Sequence, residues 1–332
     1  MMTVCRNCVL PSTFPGISFD DSGVCSFCRN HRPESAGGSA MKKFEEKFLK
    51  LAAEHGGKGN YDVLMAYSGG KDSTYTMDLF ARKYGLRVLA FTFDNTFVSE
   101  KAFSNMRKVC ESLGADHIVY RPDPKMLRAI FSAASERELY SAKTLERAST
   151  ICTSCIGLVK ALILRTAIER GIAIVGFGWS PGQAPIQASV MRTNPSLMRL
   201  TQKAIHEPLK AIAGDRVEPF FLAEEHYGTP ERFPWNVHPL AFNHYDEDMI
   251  IERNSELGWE KPDDTDANST NCLLNAYANQ LHKERYGFHP YVWEIANMVR
   301  SGAMTREKGL EKIDAMEDPE MVERARKELV RG

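Results

Sequence analysis

The chain lacks an excess of either charge. Lysine and arginine number 42 among its 332 residues and aspartate and glutamate number 43, so the formal net charge is −1. Proteins that bind tRNA or an anionic membrane through their overall electrostatic field usually carry a net positive charge. The composition therefore does not indicate tRNA as a partner, although it leaves room for a local basic patch.

A targeting segment and a long apolar run are also missing. The first residues, Met1 to Arg6, do not follow the charged, apolar and small-residue order of a signal peptide. No stretch approaches the ~18 uninterrupted apolar residues of a membrane span. Hydrophobic residues still make up 43% of the chain, enough for one substantial core and a smaller appended module. We therefore expect a cytoplasmic protein with no membrane contact, and a homodimer is compatible with the sequence.

No histidine pair is spaced for metal binding. His238, His244, His282 and His289 do not form the H-x-x-x-H or H-E-x-x-H pattern. We interpret these histidines as structural or substrate-contacting residues. No internal repeat or low-complexity tract is evident either.

Cysteine is the residue type whose spacing is most informative. Six of the eight cysteines fall into three C-x-x-C pairs, and without a secretion signal this pattern favours metal binding over disulfides. Cys5 and Cys8 precede Cys25 and Cys28 by 16 intervening residues, which fits the spacing of a tetrahedral zinc site. Four thiolates leave no open coordination position, so the sequence predicts a structural Zn²⁺ ion in a zinc ribbon spanning residues 1–32. Cysteines with no common ligand are the alternative.

The rest of the chain divides into three further regions. Residues 33–59 predict a linker and a helix, residues 60–240 an α/β domain, and residues 241–332 a helical C-terminal region. Within the α/β domain, apolar runs alternate with helical patterns in βαβ order. The predicted strands cover 63–66, 88–93, 117–120 and 172–177, and the predicted helices cover 73–84, 102–113 and 156–170. This order predicts a doubly wound, mostly parallel sheet that binds ligands at the carboxyl ends of its strands.

A glycine-rich segment joins the first predicted strand to the helix that follows it. It consists of Tyr67, Ser68, Gly69, Gly70, Lys71, Asp72, Ser73 and Thr74. A helix N-terminus offers unpaired backbone N–H groups, glycine lets the backbone approach an anion closely, and hydroxyls add further donors. The segment does not fit the Walker pattern G-x-x-x-x-G-K-[ST], so we interpret it as a different pyrophosphate cradle. A plain glycine turn is the alternative.

Residues 68–73 match the motif S-G-G-x-D-S, and through it the chain resembles the PP-loop ATP pyrophosphatase superfamily over about residues 60–180. The resemblance implies a HUP-like PP-loop fold with ATP and Mg²⁺ as ligands. It also implies that a substrate oxygen attacks the α-phosphate, that pyrophosphate leaves, and that a nucleophile then displaces AMP. Lys71, Asp72 and Ser73 would be catalytic, with Lys71 neutralising phosphate charge and Asp72 helping to hold Mg²⁺.

Three residues near later strand ends are candidate nucleotide contacts. Phe93 and Asp94 lie at the end of the second predicted strand, and Gly176 lies in the fourth, where a nucleotide would rest in such a sheet. We expect backbone contacts to adenine from Phe93 and Gly176. For Asp94, the role of an ordinary turn residue after a strand is the alternative.

Both ends of the chain resemble one particular group of PP-loop enzymes. The segment Cys5–Arg29 and the later segments Gly287–Pro290, Glu294–Ile295 and Arg300–Glu307 are similar to parts of the N-acetyl sugar amidotransferase family. This resemblance implies an amidotransferase of surface-polysaccharide biosynthesis that receives ammonia from a partner glutaminase.

The middle of the chain resembles a different group. Cys152 and Cys155 open a helix over 156–171, as in the PP-loop tRNA thiolases that carry a [4Fe–4S] cluster, and Cys272 is the candidate third ligand. That resemblance implies three protein thiolates and one open iron position for sulfide. For the pair, a second zinc site, a redox disulfide and no role at all are the alternatives. Cys110 has the helical spacing of a core residue and is not a predicted ligand.

These motifs leave three functions open, all of which include ATP binding. The first is adenylation of a carbonyl or amide oxygen followed by sulfur substitution. The middle cysteines favour it, because amidotransfer has no evident need for a C-x-x-C pair beside the nucleotide. The second is amidotransfer to an N-acetyl sugar, and the third is a non-catalytic nucleotide-binding module whose ribbon recruits RNA or protein. The sequence names neither the acceptor, which is a tRNA base, a free nucleobase, a sugar or another small molecule, nor the sulfur donor or glutaminase partner.

Overall fold

The computed structural model describes residues 3–31, 38–266 and 269–330 of the chain. Residues 32–37, which form most of the predicted linker, lie outside the described residues. The helix predicted after the linker is present and runs from Gly38 to His55.

A six-stranded sheet forms the centre of the described part of the chain. Its strands are β1 (Val63–Ala66), β2 (Val88–Phe93), β3 (Asp116–Tyr120), β4 (Ile174–Phe177), β5 (Val190–Arg192) and β6 (Trp235–Val237). They lie in the order β3-β2-β1-β4-β6-β5, and all neighbours are parallel except β5 and β6. The predicted α/β fold with a mostly parallel sheet is confirmed. The carboxyl ends of β1, β2, β4 and β6 therefore meet at one edge.

Helices cover both faces of this sheet. The α-helices of the described residues, including those of the ribbon and the C-terminal region, are α1 (Ser26–Arg29), α2 (Gly38–His55), α3 (Lys71–Asp78), α4 (Glu100–Leu113), α5 (Pro124–Glu136), α6 (Ala142–Leu145), α7 (Thr150–Arg170), α8 (Pro195–Ala213), α9 (Glu224–Tyr227), α10 (Glu247–Ser255), α11 (Asn275–Tyr286), α12 (Val292–Ser301), α13 (Arg306–Asp314) and α14 (Pro319–Val330). Apolar residues of α5, α7, α8, α11 and α14 pack on one face, and those of α2, α3 and α4 pack on the other. Since both faces are covered, β2 is buried along its whole length.

The three predicted helices of the α/β domain all begin earlier than expected, and α4 does so by two residues, at Glu100. α3 starts at Lys71, directly after the glycines, and continues into a π-helical turn at Leu79–Lys83. α7 starts at Thr150, because the hydroxyl of Ser149 caps it by accepting a hydrogen bond from the N–H of Cys152 at 3.1 Å. The cysteine pair therefore lies within the first turns of α7 and not ahead of it. Helix α5 is an addition that the sequence pattern did not predict.

The N-terminal ribbon does not build a core by itself. Its apolar residues Val9 and Phe14 are buried together with Val292 and Ile295 of α12. The ring of Phe14 stacks on Trp293, with ring centres 5.4 Å apart and planes 9° from parallel. Packing against α12 thus adds to the stability that small metal domains obtain from their ion.

Two arginines of the C-terminal region bind the cysteine loops of the ribbon directly. The guanidinium of Arg306 donates to the backbone carbonyls of Cys5 at 2.9 Å and of Cys8 at 3.0 Å. Arg300 donates to Sγ of Cys8 at 3.5 Å. The two ends of the chain, which resemble the amidotransferases, therefore form one packed unit.

Replacing Gly176 by alanine should destabilise the fold. A Cβ at this position in β4 would lie 2.4 Å from Cε2 of Phe80 and 3.0 Å from Sδ of Met65, and both side chains are fully buried. Overpacking of this kind costs about 1–3 kcal/mol of unfolding free energy, which chemical denaturation measures. Gly38→Ala is the control, because no heavy atom lies within 4 Å of a Cβ there. Equal stability of the Gly176→Ala variant and the unsubstituted chain would contradict this expectation.

Candidate functional site

The segment between β1 and α3 has the tight backbone geometry that its glycines predict. Gly69 has a φ of +74°, and a Cβ there would lie 2.6 Å from Cε of Met106. A Cβ on Gly178, which follows β4, would lie 2.5 Å from Cα of Ser73. Both positions need glycine, because backbone segments approach each other closely at this edge of the sheet.

Hydroxyl groups surround the first backbone N–H groups of α3. Oγ of Ser68 lies 3.0 Å from Oγ of Ser73 and accepts from the N–H of Gly70 at 3.4 Å. Oγ1 of Thr270 accepts from the N–H of Lys71 at 3.1 Å. A phosphate oxygen is a stronger acceptor than a hydroxyl at a helix N-terminus. The segment can therefore exchange these hydrogen bonds for bonds to a phosphate.

Two further residues of the segment brace it from the side of the core. The hydroxyl of Tyr67 lies 3.2 Å from Oγ1 of Thr74, and both side chains are buried. Nε1 of Trp259 donates to the carbonyl of Gly69 at 2.9 Å. Because the hydroxyl of Thr74 is used in this way, its role in the structure is to support the segment.

Lys71 and Asp72 form an ion pair at the start of α3. Nζ of Lys71 lies 2.9 Å from both carboxylate oxygens of Asp72 and 3.0 Å from the hydroxyl of Tyr245. Glu247 contributes a second carboxylate at 3.8 Å. Burial acts to lower the pKa of Lys71, but Asp72, Tyr245 and Glu247 together outweigh burial and raise that pKa above its usual range. Lys71 therefore stays charged, as phosphate binding requires.

The three candidate nucleotide contacts at later strand ends have structural partners. The carboxylate of Asp94 accepts from the N–H of Thr96 at 2.8 Å and from Nε of Arg121 at 2.5 Å. The ring of Phe93 lies in the core, and Gly176 is required for packing within β4. Contacts from their backbone groups to adenine stay a prediction.

The structure brings the cysteine pair of α7 together with Cys272. The side-chain amide of Asn95 donates to Sγ of Cys155 at 3.5 Å and to Sγ of Cys272 at 3.8 Å. An antiparallel β-bridge to Val98 holds Cys272 in this place. Burial raises the pKa of Cys152 and of Cys155 to about 12, so both are neutral thiols when no metal is bound. Asn95 thus joins Cys155 to Cys272, and Cys152 lies near both, although the chain separates Cys272 widely from the other two.

Helix α12 connects the cysteines to the nucleotide segment. Oε1 of Glu294 accepts from the hydroxyl of Ser180 at 2.5 Å, and its pKa is raised by burial and by the nearby charge of Asp72. The pKa of Tyr291, one turn earlier, is raised by burial and by its proximity to Cys152 and Glu294. Charges act on a pKa in this way only over short distances. The segment at α3, the start of α7 and α12 therefore lie close together and form one site.

The sequence did not identify several side chains that lie at or near this site. They are Asn95, Lys160, Trp179, Tyr245, Thr270 and Tyr291. Asn95 and Trp179 had a usable signal, because each follows a predicted strand within two residues. The others carry no local pattern, since only packing brings them to the site.

The four cysteines of the ribbon are arranged as a metal site. Their Sγ atoms all lie within 4.8 Å of one another, with 3.8 Å between Cys5 and Cys28 and between Cys8 and Cys25. Within residues 3–31, 38–266 and 269–330, this is the only such group of three or more cysteine, histidine or acidic ligands. These four residues can hold a metal ion.

Helix α7 is long and apolar enough to cross a membrane by length and composition alone. Of its most apolar 18 residues, 56% are buried inside the protein. The helix packs against β1, β4, α5 and α8. Its apolar character is that of a core helix, which passes the same test.

Comparisons with known proteins find distant similarity. No protein-family profile matches the chain. An uncharacterized protein of Methanocaldococcus jannaschii, MJ1599, is 24% identical over 319 residues, which cover 96% of this chain and 95% of that protein.

Two solved structures are similar to this chain. The U34-tRNA thiolase NcsA from Methanococcus maripaludis with its [4Fe-4S] cluster has a TM-score of 0.37 and 15% identity, over 99% of this chain and 89% of that chain. The NMN synthetase from Francisella tularensis has a TM-score of 0.37 and 12% identity, over 88% of this chain and 93% of that chain. Both are members of the PP-loop superfamily, which the motif at residues 68–73 resembles. Since both TM-scores lie below 0.5, the function proposed below rests on this chain's own side chains.

Cys5→Ser should release the ribbon metal and lower stability. A serine hydroxyl is a poor replacement for a thiolate ligand, and metal binding contributes to folding in such modules. We expect the metal content, measured by mass spectrometry, to fall from about one ion per chain to near zero. Cys110→Ser is the matched control, because Cys110 is a buried cysteine of α4 outside the ligand group. Full metal content in the Cys5→Ser protein would show that the four cysteines do not act as ligands.

Proposed function

We propose that this chain uses ATP to adenylate a carbonyl or amide oxygen of an acceptor and then replaces that oxygen by sulfur. The acceptor oxygen attacks the α-phosphorus of ATP, the bond from this phosphorus to the β-bridging oxygen breaks, and pyrophosphate leaves. Sulfide from a donor attacks the activated carbon, the carbon–oxygen bond breaks, and AMP leaves with the bonding electrons. Neither step needs an oxidant or a reductant.

The observation that carries this proposal is the position of the three cysteines relative to the nucleotide segment. Cys155 and Cys272 contact Asn95, which lies two residues after β2, and Cys152 lies near Cys272. The segment at residues 68–73 follows the neighbouring strand β1. Parallel neighbours open toward the same edge, so an acceptor between them can reach both groups. This arrangement supports a reaction in which a sulfur species meets an adenylated carbon.

In this proposal the phosphates of ATP bind at the N-terminus of α3. The N–H groups of Gly70 and Lys71 donate to phosphate oxygens, together with the hydroxyls of Ser68 and Ser73. The ammonium of Lys71 stabilises the charge that develops as pyrophosphate leaves. The carboxylate of Asp72 supplies a ligand for Mg²⁺, which accompanies ATP.

We assign a [4Fe–4S] cluster to Cys152, Cys155 and Cys272. The donor set fits, because three soft thiols lie near one another: Asn95 donates to two of them, and the pKa of Cys152 is raised by its proximity to Cys272. When bound, such a cluster supplies an iron with an open coordination position that can take sulfide. Asn95 donates its amide hydrogens to two of the sulfurs and so orients them.

Zinc is the metal that suits the ribbon. Cys5, Cys8, Cys25 and Cys28 form a closed set of four thiol ligands in two C-x2-C pairs, which is typical of a structural zinc site. The ribbon packs against α12, and α12 also carries Glu294. The zinc ion therefore supports the position of α12 and takes no part in the reaction.

Amidotransfer is the second candidate. The two ends that resemble the N-acetyl sugar amidotransferases pack into one unit. Within that unit, Glu294 of α12 lies near Asp72. This reaction begins with the same adenylation and uses ammonia from a glutaminase in place of sulfide. It gives no role to Cys152, Cys155 and Cys272.

Asp72→Asn should lower AMP formation by at least about 100-fold, because the variant loses a Mg²⁺ ligand and the partner of Lys71. AMP and pyrophosphate are measured with two acceptor pairs: bulk tRNA with sulfide, and a nucleoside-diphosphate N-acetylhexosamine with ammonium. Asp248→Asn is the control, because that side chain on α10 is 80% exposed. Unchanged turnover in Asp72→Asn would remove this residue from the mechanism.

Protein prepared without oxygen should be brown and contain about four iron and four acid-labile sulfide per chain. Serine at position 152, 155 or 272 should bleach the colour and lower both contents, because each thiol is a ligand. The variant Cys110→Ser should keep the colour, since Cys110 packs in the core away from the three cysteines. Colourless anaerobic protein that forms AMP only with ammonium would favour the amidotransferase instead.

A further inference from the structure

Two cationic side chains, one over Trp179 and one over Trp293, have no carboxylate partner among the described residues. They are Lys160 on α7 and Arg147 shortly before that helix, and neither forms an ion pair or hydrogen bond within the described residues. Lys71 of the nucleotide segment, by contrast, is paired with Asp72. The protein therefore leaves two positive charges available at this place.

An aromatic wall, and not a carboxylate, holds the ammonium of Lys160. Its Nζ lies 4.3 Å from the ring centre of Trp179. Trp179 in turn stacks on His238, with ring centres 4.2 Å apart and planes 9° from parallel. Trp179 follows β4 and His238 follows β6, so the wall stands at the same edge of the sheet as the nucleotide segment.

Lys160 is exposed to solvent and lies close to a second cation and to His238. Its side chain remains accessible to solvent, yet surrounding protein lowers its pKa to about 8, with a further contribution from the charge of Arg147. The pKa of His238 is lowered to about 3, by burial and then by the charge of Lys160. His238 is therefore neutral, and the two cations repel each other. A bound anion would relieve this repulsion.

We propose that Lys160, over the ring of Trp179, and Arg147, over the ring of Trp293, bind a phosphate group of the acceptor substrate. This inference rests on the proposed function, in which the nucleotide segment and Lys71 already take up the phosphates of ATP. A second pair of cations at the same edge then has a second anion to bind. Two donors on different parts of the chain suit a phosphate, whose several oxygens can be approached from more than one side.

Two sources of such a phosphate fit this chemistry. One is the diphosphate of a nucleoside-diphosphate sugar, and the other is the backbone of tRNA. The net charge of −1 does not exclude either source, because the site needs only a local pair of cations.

Competitive acetylation of the complete protein tests the site. Lys160 reacts with acetic anhydride as a partly deprotonated, accessible amine, and peptide mass spectrometry reports its labelling rate. We expect a nucleoside-diphosphate N-acetylhexosamine or bulk tRNA to slow this rate at least about fivefold, since a bound phosphate covers and protonates the amine. Labelling of Lys203, which is exposed on α8 and paired with Glu207, should stay unchanged.

A substitution identifies the second cation. Arg147→Gln should weaken the protection of Lys160 by about tenfold in ligand concentration, whereas Lys203→Gln should leave it unaltered. Protection by the sugar nucleotide alone or by tRNA alone identifies the source of the phosphate. The proposal is overturned if neither ligand protects Lys160, if ATP alone protects it equally well, or if Arg147→Gln has no effect.

This experiment separates the site from the proposed reaction. Labelling needs no turnover, so it can also be performed on the Asp72→Asn variant. Protection of Lys160 in Asp72→Asn is expected whether or not that variant turns over. Protection in an unsubstituted protein that forms no AMP with either acceptor pair would leave the anion site standing and remove the proposed function.

Discussion

Parallel pairing of β1 with β2 and β4 is the constraint on which the rest of the structure depends. The register aligns Ala66 with Phe91 on one side and with Phe177 on the other, so the chain leaves the three strands at nearly the same level. The nucleotide segment, Asn95 and Trp179 all follow within a few residues. A slip of one residue would turn alternate side chains to the opposite face and disrupt the core. The packing that stabilises the sheet therefore also sets the spacing of the site.

The two lysines near this edge of the sheet, Lys71 and Lys160, differ in their partners and in their pKa values. Lys71 is paired with Asp72 and Tyr245, and its pKa is raised although burial opposes this. Lys160 lies over the ring of Trp179 with no carboxylate partner among the described residues, and burial and then the charge of Arg147 lower its pKa to about 8. Removing a charge from water costs free energy unless a partner of opposite charge compensates. A ligand anion can supply that partner for Lys160, whereas the protein itself supplies it for Lys71.

Helix α12 takes part in two structures at once. Val292 and Ile295 are buried with the ribbon, while Glu294 accepts a hydrogen bond from Ser180 and the preceding Tyr291 lies near Cys152. Val292 and Glu294 are two residues apart, so the helical period of 3.6 residues places them on nearly opposite faces of the helix. The ribbon and this part of the site therefore share one helix.

The sequence by itself determined the features that depend on neighbouring residues. The apolar run, the glycines and the helix start at residues 63–74 predict the nucleotide segment, and the C-x2-C spacing predicts the ribbon ligands, because each signal is complete within a short stretch. Helix limits were less accurate, since the cap at Ser149 that starts α7 before the cysteines competes with the apolar pattern.

Tertiary structure alone decided how the distant parts of the site meet. The place of Cys272 beside Asn95, of Glu294 near Asp72 and of Lys160 at Trp179 could not be read from any local pattern. Each of these contacts joins segments that are far apart in the chain, and their distance is set by how the helices pack on the sheet. That packing depends on the whole buried core, which no short stretch of sequence contains.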